Sequence, residues 1–214
     1  MDYSIYDYNS EEKLLQEQEI EEINNVKMSL LNTLVTKLNN AGIYFNSTSR
    51  IKSESSLLHK LETGKYSLDE GGRKIQDIIG IRINLFYLED MDICEKILEE
   101  TFLLDNWSKT KNEENKFEAH KCNGVFRIPS KYLRNIPASV WTKPFDQTFE
   151  VQLRTVLFEG WHEIEHEMRY KYKLGSDSKE TDLWTGHEDL SRVMNSIIAN
   201  LELCDWSIMQ IFNS

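Results

Sequence analysis

The chain reads as an α+β protein, a mixed β-sheet surrounded by helices, with a helical extension at each end. Three observations carry that reading. Apolar residues recur at helical spacing in two long segments, one towards each terminus. Two β-rich runs, IRINLFYL (81–88) and TFEVQLRT (148–155), lie far apart, and each precedes a helical pattern. The stretch 105–147, which holds Pro129, Pro137 and Pro144, has neither period.

In order along the chain, 11–39 forms an amphipathic helix through Ile23, Val26, Leu30, Leu34 and Leu38, stopped by Asn39, Asn40 and Gly42. A short strand is expected at 43–45, IYF. Ser53 is suited to cap a helix over SESSLLHKLE, which Gly64 closes. IRINLFYL is a strand and DMDICEKILEETFLL the helix after it. Within 105–147 the pair Asn123-Gly124 is a hairpin-turn signal. In TFEVQLRT, Phe149, Val151 and Leu153 alternate with Glu150, Gln152 and Arg154, the pattern of a half-buried strand. A helix over about 157–173 follows, then a GSDSK linker. Leu190, Met194, Ile197, Leu201, Cys204, Ile208 and Ile211 mark the last helix. One domain over 1–214 is expected: an N-terminal helix in 1–42, a core over 43–173 and a helical extension over 174–214.

Composition narrows the function. The net charge is −11, with −5 in residues 1–40, −5 in 174–214 and only −1 between them. Non-specific binding to DNA needs clustered Lys and Arg, so this balance argues against it but leaves room for a small phosphorylated ligand in a local basic pocket. No apolar stretch approaches the roughly 20 residues of a membrane span. The start, MDYSIYDYNSEEK, has no basic region leading into an apolar one, so no secretion signal is expected. Cys94, Cys122 and Cys204 are odd in number and unpaired in spacing, which suits free thiols in a reducing cytoplasm.

Four constellations could carry chemistry. HEIEH, 162–166, matches H-E-x-x-H, which places two histidines where one metal can take both; His187 or Glu188 could be a third ligand. A salt-bridged face is the alternative, since Glu159, Glu163 and Glu167 form one i, i+4 row. On the strand before it, Glu150, Gln152 and Arg154 share one face, either exposed to solvent or presented as a site. Asp77, in QDIIGIRINLF, is a turn-former or a metal carboxylate at the start of a strand. In SRIKSESSLLHK, Arg50, Lys52, Ser56 and Lys60 gather donors and charge near a helix N-terminus, an arrangement suited to polyphosphate.

In this order, the runs SRIKSESSLLHK, IQDIIGIR and FEVQLRT…GWHEIEHEMRYK, spanning about 49–173, resemble the synthetase domain of the RelA/SpoT family, the alarmone synthetases that make (p)ppGpp. The last run is the most specific: E-x-Q-x-R-T followed by W-x-E-x-E-H-x-x-x-Y-K. On this resemblance HEIEH is the family's W-x-E-x-E-H helix, which here begins with a histidine.

The resemblance implies a nucleotidyltransferase-like fold. It also implies transfer of a pyrophosphoryl group from ATP to the ribose 3′-hydroxyl of GDP or GTP, with Mg²⁺. Asp77 and Glu150 would be the metal carboxylates, with Glu150 also accepting the hydroxyl proton. Arg50 and Arg82 would stack on adenine while Lys52, Ser56 and Lys60 hold the ATP phosphates. Lys121, Val125, Phe126, Gln152 and Glu159 would line the acceptor pocket, with Glu159 reading the guanine edge.

The chain departs from the pattern at KCNGVFRIP. Relatives carry N-G-Y-x-S-x-H, whose tyrosine stacks on guanine; Val125 stands at that position, with Phe126 beside it. The family's hydrolase half needs an H-D metal site, and the chain contains no His-Asp dipeptide. A stand-alone synthetase is therefore expected, with self-assembly through the C-terminal helix open to it. A toxin-type relative that modifies the tRNA 3′ end is the alternative within the family. The candidate basic groove for tRNA is 109–136, with seven Lys/Arg against three acids.

Overall fold

The computed structural model describes residues 14–62, 66, 72–109, 122–164 and 188–212. Among the described residues five strands form one mixed sheet: β1 (Phe45–Ile51), β2 (Ile79–Leu85), β3 (Leu104–Lys109), β4 (Cys122–Arg127) and β5 (Thr148–Thr155). Their order across the sheet is β1-β2-β5-β4-β3. β2 and β5 run parallel at the centre, and the other three pairings are antiparallel. The helices are α1 (Glu17–Asn40), α2 (Glu54–Glu62), α3 (Asp90–Thr101), a short α4 (Ser130–Leu133), α5 (156–164 among the described residues) and α6 (Glu188–Phe212). A 3-10 turn occupies Ala138–Thr142.

The expected α+β architecture is the one observed. Ile23, Val26, Leu30, Leu34 and Leu38 of α1 are all buried, and the helix lies against β1, β2 and α3. It ends where Gly42 turns into the left-handed region at φ 76°, the conformation glycine adopts without steric cost. In β2, Ile79, Ile81, Ile83 and Leu85 are buried and alternate with half-buried Gly80, Arg82 and Asn84. Phe149, Val151 and Leu153 of β5 continue the same core face. At its end Thr155 Oγ1 donates to Asp205 Oδ2 of α6 at 2.7 Å, both residues being buried. On the solvent side α6 leaves Val193, Leu203, Trp206 and Ile211 exposed. None of the described helices is long and apolar enough to cross a membrane.

Buried Glu19 links α1 to the turn before β5, accepting from Ser139 Oγ at 2.5 Å and pairing with Lys143. Burial alone would raise its pKa, but those bonds outweigh it and hold the carboxyl below its ordinary value.

Several sequence expectations are corrected. The strand expected at 43–45 begins only at Phe45 and continues through the SRI that leads into the basic cluster. FNSTSRI lacks an apolar alternation because it is an edge strand, formed by pairing with β2 rather than by its own pattern. β2 ends at Leu85 instead of 88, and α3 ends at Thr101, after which Phe102 turns into the core.

The irregular stretch contains β3, β4, α4 and the 3-10 turn. Asn123-Gly124 makes no hairpin turn; it lies inside β4, with Gly124 opposite Trp107 on one side and Val151 on the other. A Cβ on Gly124 would stand 2.5 Å from Phe126 Cε2 and 2.7 Å from Trp107 Cζ3. This glycine therefore makes room for two aromatic rings, whose centroids are 5.4 Å apart in an edge-on contact. Phe126 is fully buried against Phe102 and Phe149, so its expected place in the acceptor pocket is wrong.

Gly124→Ala should therefore destabilise the protein by about 1–3 kcal/mol, the usual cost of overpacking a core. Urea denaturation monitored by circular dichroism would measure the loss; a variant as stable as the parent contradicts the close packing.

Candidate active site

Opposite the core, the sheet presents two adjacent, mostly polar rows of residues. One runs Thr48, Arg82, Gln152, Asn123 and Ser108 across the five strands; the next runs Arg50, Gly80, Glu150, Val125 and Asn106. Residues directly opposite on paired strands share a face, so the registers place Arg50, Arg82, Glu150 and Gln152 on one face of the sheet. Gly80 bears no side chain between Arg50 and Glu150, which leaves the floor open there. Glu150 is oriented from two sides, by Asn123 Nδ2 at 3.2 Å and Gln152 Nε2 at 2.8 Å.

Asp77 lies just before β2, not in it. Its segment is fixed by backbone bonds on both sides. Ile75 N–H donates to Pro144 O at 2.8 Å, Asp146 N–H donates to Ile75 O at 2.8 Å, and Lys52 N–H donates to Ile78 O at 2.9 Å. The Asp77 carboxylate accepts from Lys52 Nζ at 2.7 Å and from Lys60 Nζ at 2.8 and 2.9 Å. Burial alone would raise its pKa, but the two ammonium groups more than offset this and hold it below the ordinary aspartate value. Lys60 reaches Asp77 because it lies on α2, whose start Ser53 caps through Oγ to the Ser56 N–H at 3.4 Å. Ser56 itself is exposed and accepts from Ser53 Oγ at 2.8 Å.

Two clefts open on this face. The first, about 350 Å³, is lined by Thr48, Arg50, Lys52, Arg82 and Gln152 among others. The second, about 200 Å³, is lined by Lys60, Tyr66, Arg73, Lys74, Asn123 and Val125 among others. Asp77 and Glu150 are the residues common to both. Of the expected donor residues, Arg50, Lys52 and Arg82 line the first cleft, whereas Lys60 lines the second. Lys121 lies outside the described residues.

Arg82 joins residues that the resemblance divides between the two substrates. Its Nε donates to Gln152 Oε1 at 3.2 Å, and its Nη1 bonds both Glu159 and, at 2.7 Å, Glu163. Arg154, buried beneath, has Nε 3.5 Å from the other oxygen of Glu159. Ligand atoms of Glu159, His162 and Glu163 lie within 4.8 Å of one another, a grouping able to hold a metal. Yet the Arg82 guanidinium already lies against both carboxylates, so the described part of HEIEH is a salt-bridged face. The remainder of that motif, with His166, His187 and the side chain of Glu188, is outside the described residues.

Sequence reasoning missed Tyr66, Arg73 and Lys74. Tyr66 stands in a stretch without periodicity, KYSLDEGG, and carried no signal. The Arg73-Lys74 pair, three residues ahead of Asp77, was a legible one.

The chain belongs to the RelA/SpoT family: residues 49–175 match the model of the region found in RelA/SpoT proteins. No curated protein sequence matches it. Among solved structures it is similar to the small alarmone synthetase 1 from Bacillus subtilis, with a TM-score of 0.64 at 19% identity over 92% of this chain and 93% of the other. Similar too is smu.1046c from Streptococcus mutans UA159, with a TM-score of 0.65 at 18% identity over 92% of each chain. The Bacillus synthetase bound to its product pppGpp gives a TM-score of 0.59 at 20% identity, again over 92% of each chain. The mixed sheet and its helices are thus those of the small alarmone synthetase fold.

Asp77→Asn should lower stability at neutral pH by about 1.5–3 kcal/mol, the range for hydrogen bonds to charged groups. Because the folded pKa of Asp77 is depressed, this stabilisation is full above about pH 4, the ordinary aspartate value. It is lost as the pH falls further, through the folded value. Urea titrations of both proteins from pH 7 downwards should show the difference shrinking only at the acid end.

Proposed function

We propose that the protein is an ATP-dependent pyrophosphotransferase whose acceptor is the ribose 3′-hydroxyl of GDP or GTP, giving a (p)ppGpp-type product and AMP. The observation that carries this reading is that Asp77 and Glu150 stand where two basic clefts meet. A donor in one cleft and an acceptor in the other would bring their reacting ends to these two carboxylates. Family membership supports the reaction class, and the Bacillus synthetase structures bound to pppGpp and AMPCPP support nucleotide ligands for this fold.

In the reaction the acceptor 3′-oxygen forms a bond to the β-phosphorus of ATP, the bond from that phosphorus to the α–β bridging oxygen breaks, and AMP leaves. Glu150, aimed by Asn123 and Gln152, takes the 3′-hydroxyl proton. Arg50 and Arg82 offer planar guanidinium groups to adenine. Lys52 and Lys60 move from Asp77 to the phosphates, where their charge offsets that developing in the transition state. Asp77 and Glu150 supply the oxygen donors a hard cation prefers and would hold Mg²⁺. When bound, such an ion would supply positive charge to offset that of the phosphates.

The net charge of −11 favours a small nucleotide over the tRNA polyanion. Of the basic residues in 109–136, Lys109 pairs with Glu95 and Arg127 with Asp105, so neither offers an uncompensated charge to a polyanion.

Incubation with labelled ATP, Mg²⁺ and GDP, GTP, GMP, ADP or deacylated tRNA tests the reading. Label should pass to GDP or GTP; transfer to tRNA alone, or to nothing, overturns it. Asp77→Asn and Glu150→Gln should each cut turnover at least about 100-fold, as expected for electrostatic or proton-transfer groups.

His162→Ala should keep most of the activity, since the family pattern does not use that histidine. Stoichiometric zinc in the purified protein, with activity lost on chelation and restored by zinc alone, would reverse this view.

A further inference from the structure

We infer that Tyr66 forms the aromatic wall that holds the acceptor's base, a part Val125 cannot play; this rests on the acceptor reading above. A purine has two broad apolar faces, and proteins hold them against an aromatic ring or a guanidinium plane. In the first cleft that surface comes from Arg50 and Arg82. In the second, Val125 offers only an aliphatic branch, and Phe126 points into the core. Tyr66 is the one aromatic residue among those described that line this cleft.

The surroundings of the ring fit a nucleotide. Lys60 Nζ lies 5.5 Å and Arg73 Cζ 5.6 Å from its centroid. Cations over a part-exposed ring are held weakly, whereas a phosphate attracts them strongly. A nucleotide entering with its 5′-phosphates would draw Arg73 from the ring and expose a face for the base. Lys60 also bonds Asp77, so the ring is one side chain away from the carboxylate at the junction of the clefts. Base recognition, phosphate binding and the transfer site are thereby contiguous.

Calorimetry on the full chain tests this, with GDP as the probe and AMPCPP as the control. Tyr66→Ala should weaken GDP binding about tenfold or more, as expected for loss of a stacking ring. AMPCPP affinity should stay within about twofold, a change of only a few tenths of a kcal/mol. Tyr66→Phe should bind GDP like the wild type, and adding Val125→Tyr to Tyr66→Ala should restore binding by supplying a ring from the facing strand. A purely structural role for Tyr66 would produce neither the GDP-specific loss nor that rescue. If circular dichroism shows Tyr66→Ala to be unfolded, Tyr66→Leu, which keeps apolar bulk without a ring, is read by the same criteria.

The inference is overturned by GDP affinity indifferent to Tyr66, by an equal loss in Tyr66→Phe, by a parallel loss of AMPCPP, or by a wild type that does not bind GDP. Transfer to GDP with binding indifferent to Tyr66 overturns this inference alone. Tyr66-dependent GDP binding without transfer overturns the transferase reading alone.

Discussion

The parallel pairing of β2 with β5 is the constraint on which the site depends. Its register sets Gly80 against Glu150 and Arg82 against Gln152. The same register sets Ile81 against Val151 and Ile83 against Leu153 on the other face, where all four are buried. Because side chains alternate with period two, a one-residue slip would turn Glu150 and Arg82 into the core and expose the isoleucines. The hydrophobic core therefore fixes the site residues without touching them. Asp77 needs a separate device because it precedes the strand. A line of contacts runs from Glu19 on α1 to Lys143, through neighbouring Pro144 to Ile75, and so to the segment that holds Asp77.

Charge is arranged as compensated groups. An acidic chain of net charge −11 still gathers Lys52 and Lys60 on Asp77, and Arg82 on Glu159 and Glu163. These pairs hold the cations in position; on the function proposed above, a polyanion would exchange partners with groups already placed instead of assembling them. Arg82 couples three parts of the face at once, bonding Gln152 on β5 and two glutamates of α5. Arg82 and Gln152 line the first cleft, so this network ties that cleft to α5.

Patterns with their own period were legible before any folding was considered. The apolar stripe of α1 and the buried Phe149, Val151 and Leu153 of β5 each follow from burying one face of one element and appear as expected. However, α1 begins at Glu17 rather than 11, and Arg154, on the polar face, is buried. Edge strands gave no such signal. β1 is polar on both flanks and becomes a strand because β2 supplies its hydrogen bonds. Asn123-Gly124 was misread because local turn chemistry and tight aromatic packing both select glycine. Only the approach of Trp107 and Phe126 tells them apart.

The sequence by itself determined the α+β class, the membership of Glu150 and Gln152 in one polar face, and the basic cluster that Asp77 joins. These are properties of spacing along a single element. Tertiary structure decided that Phe126 is core and Val125 faces the cleft, that Arg82 binds the glutamates of HEIEH's helix, and that Tyr66, Arg73 and Lys74 complete the second cleft. Each of those depends on residues far apart in the chain meeting across strand registers and loop paths. No local period encodes such a meeting; the packing of the shared core does.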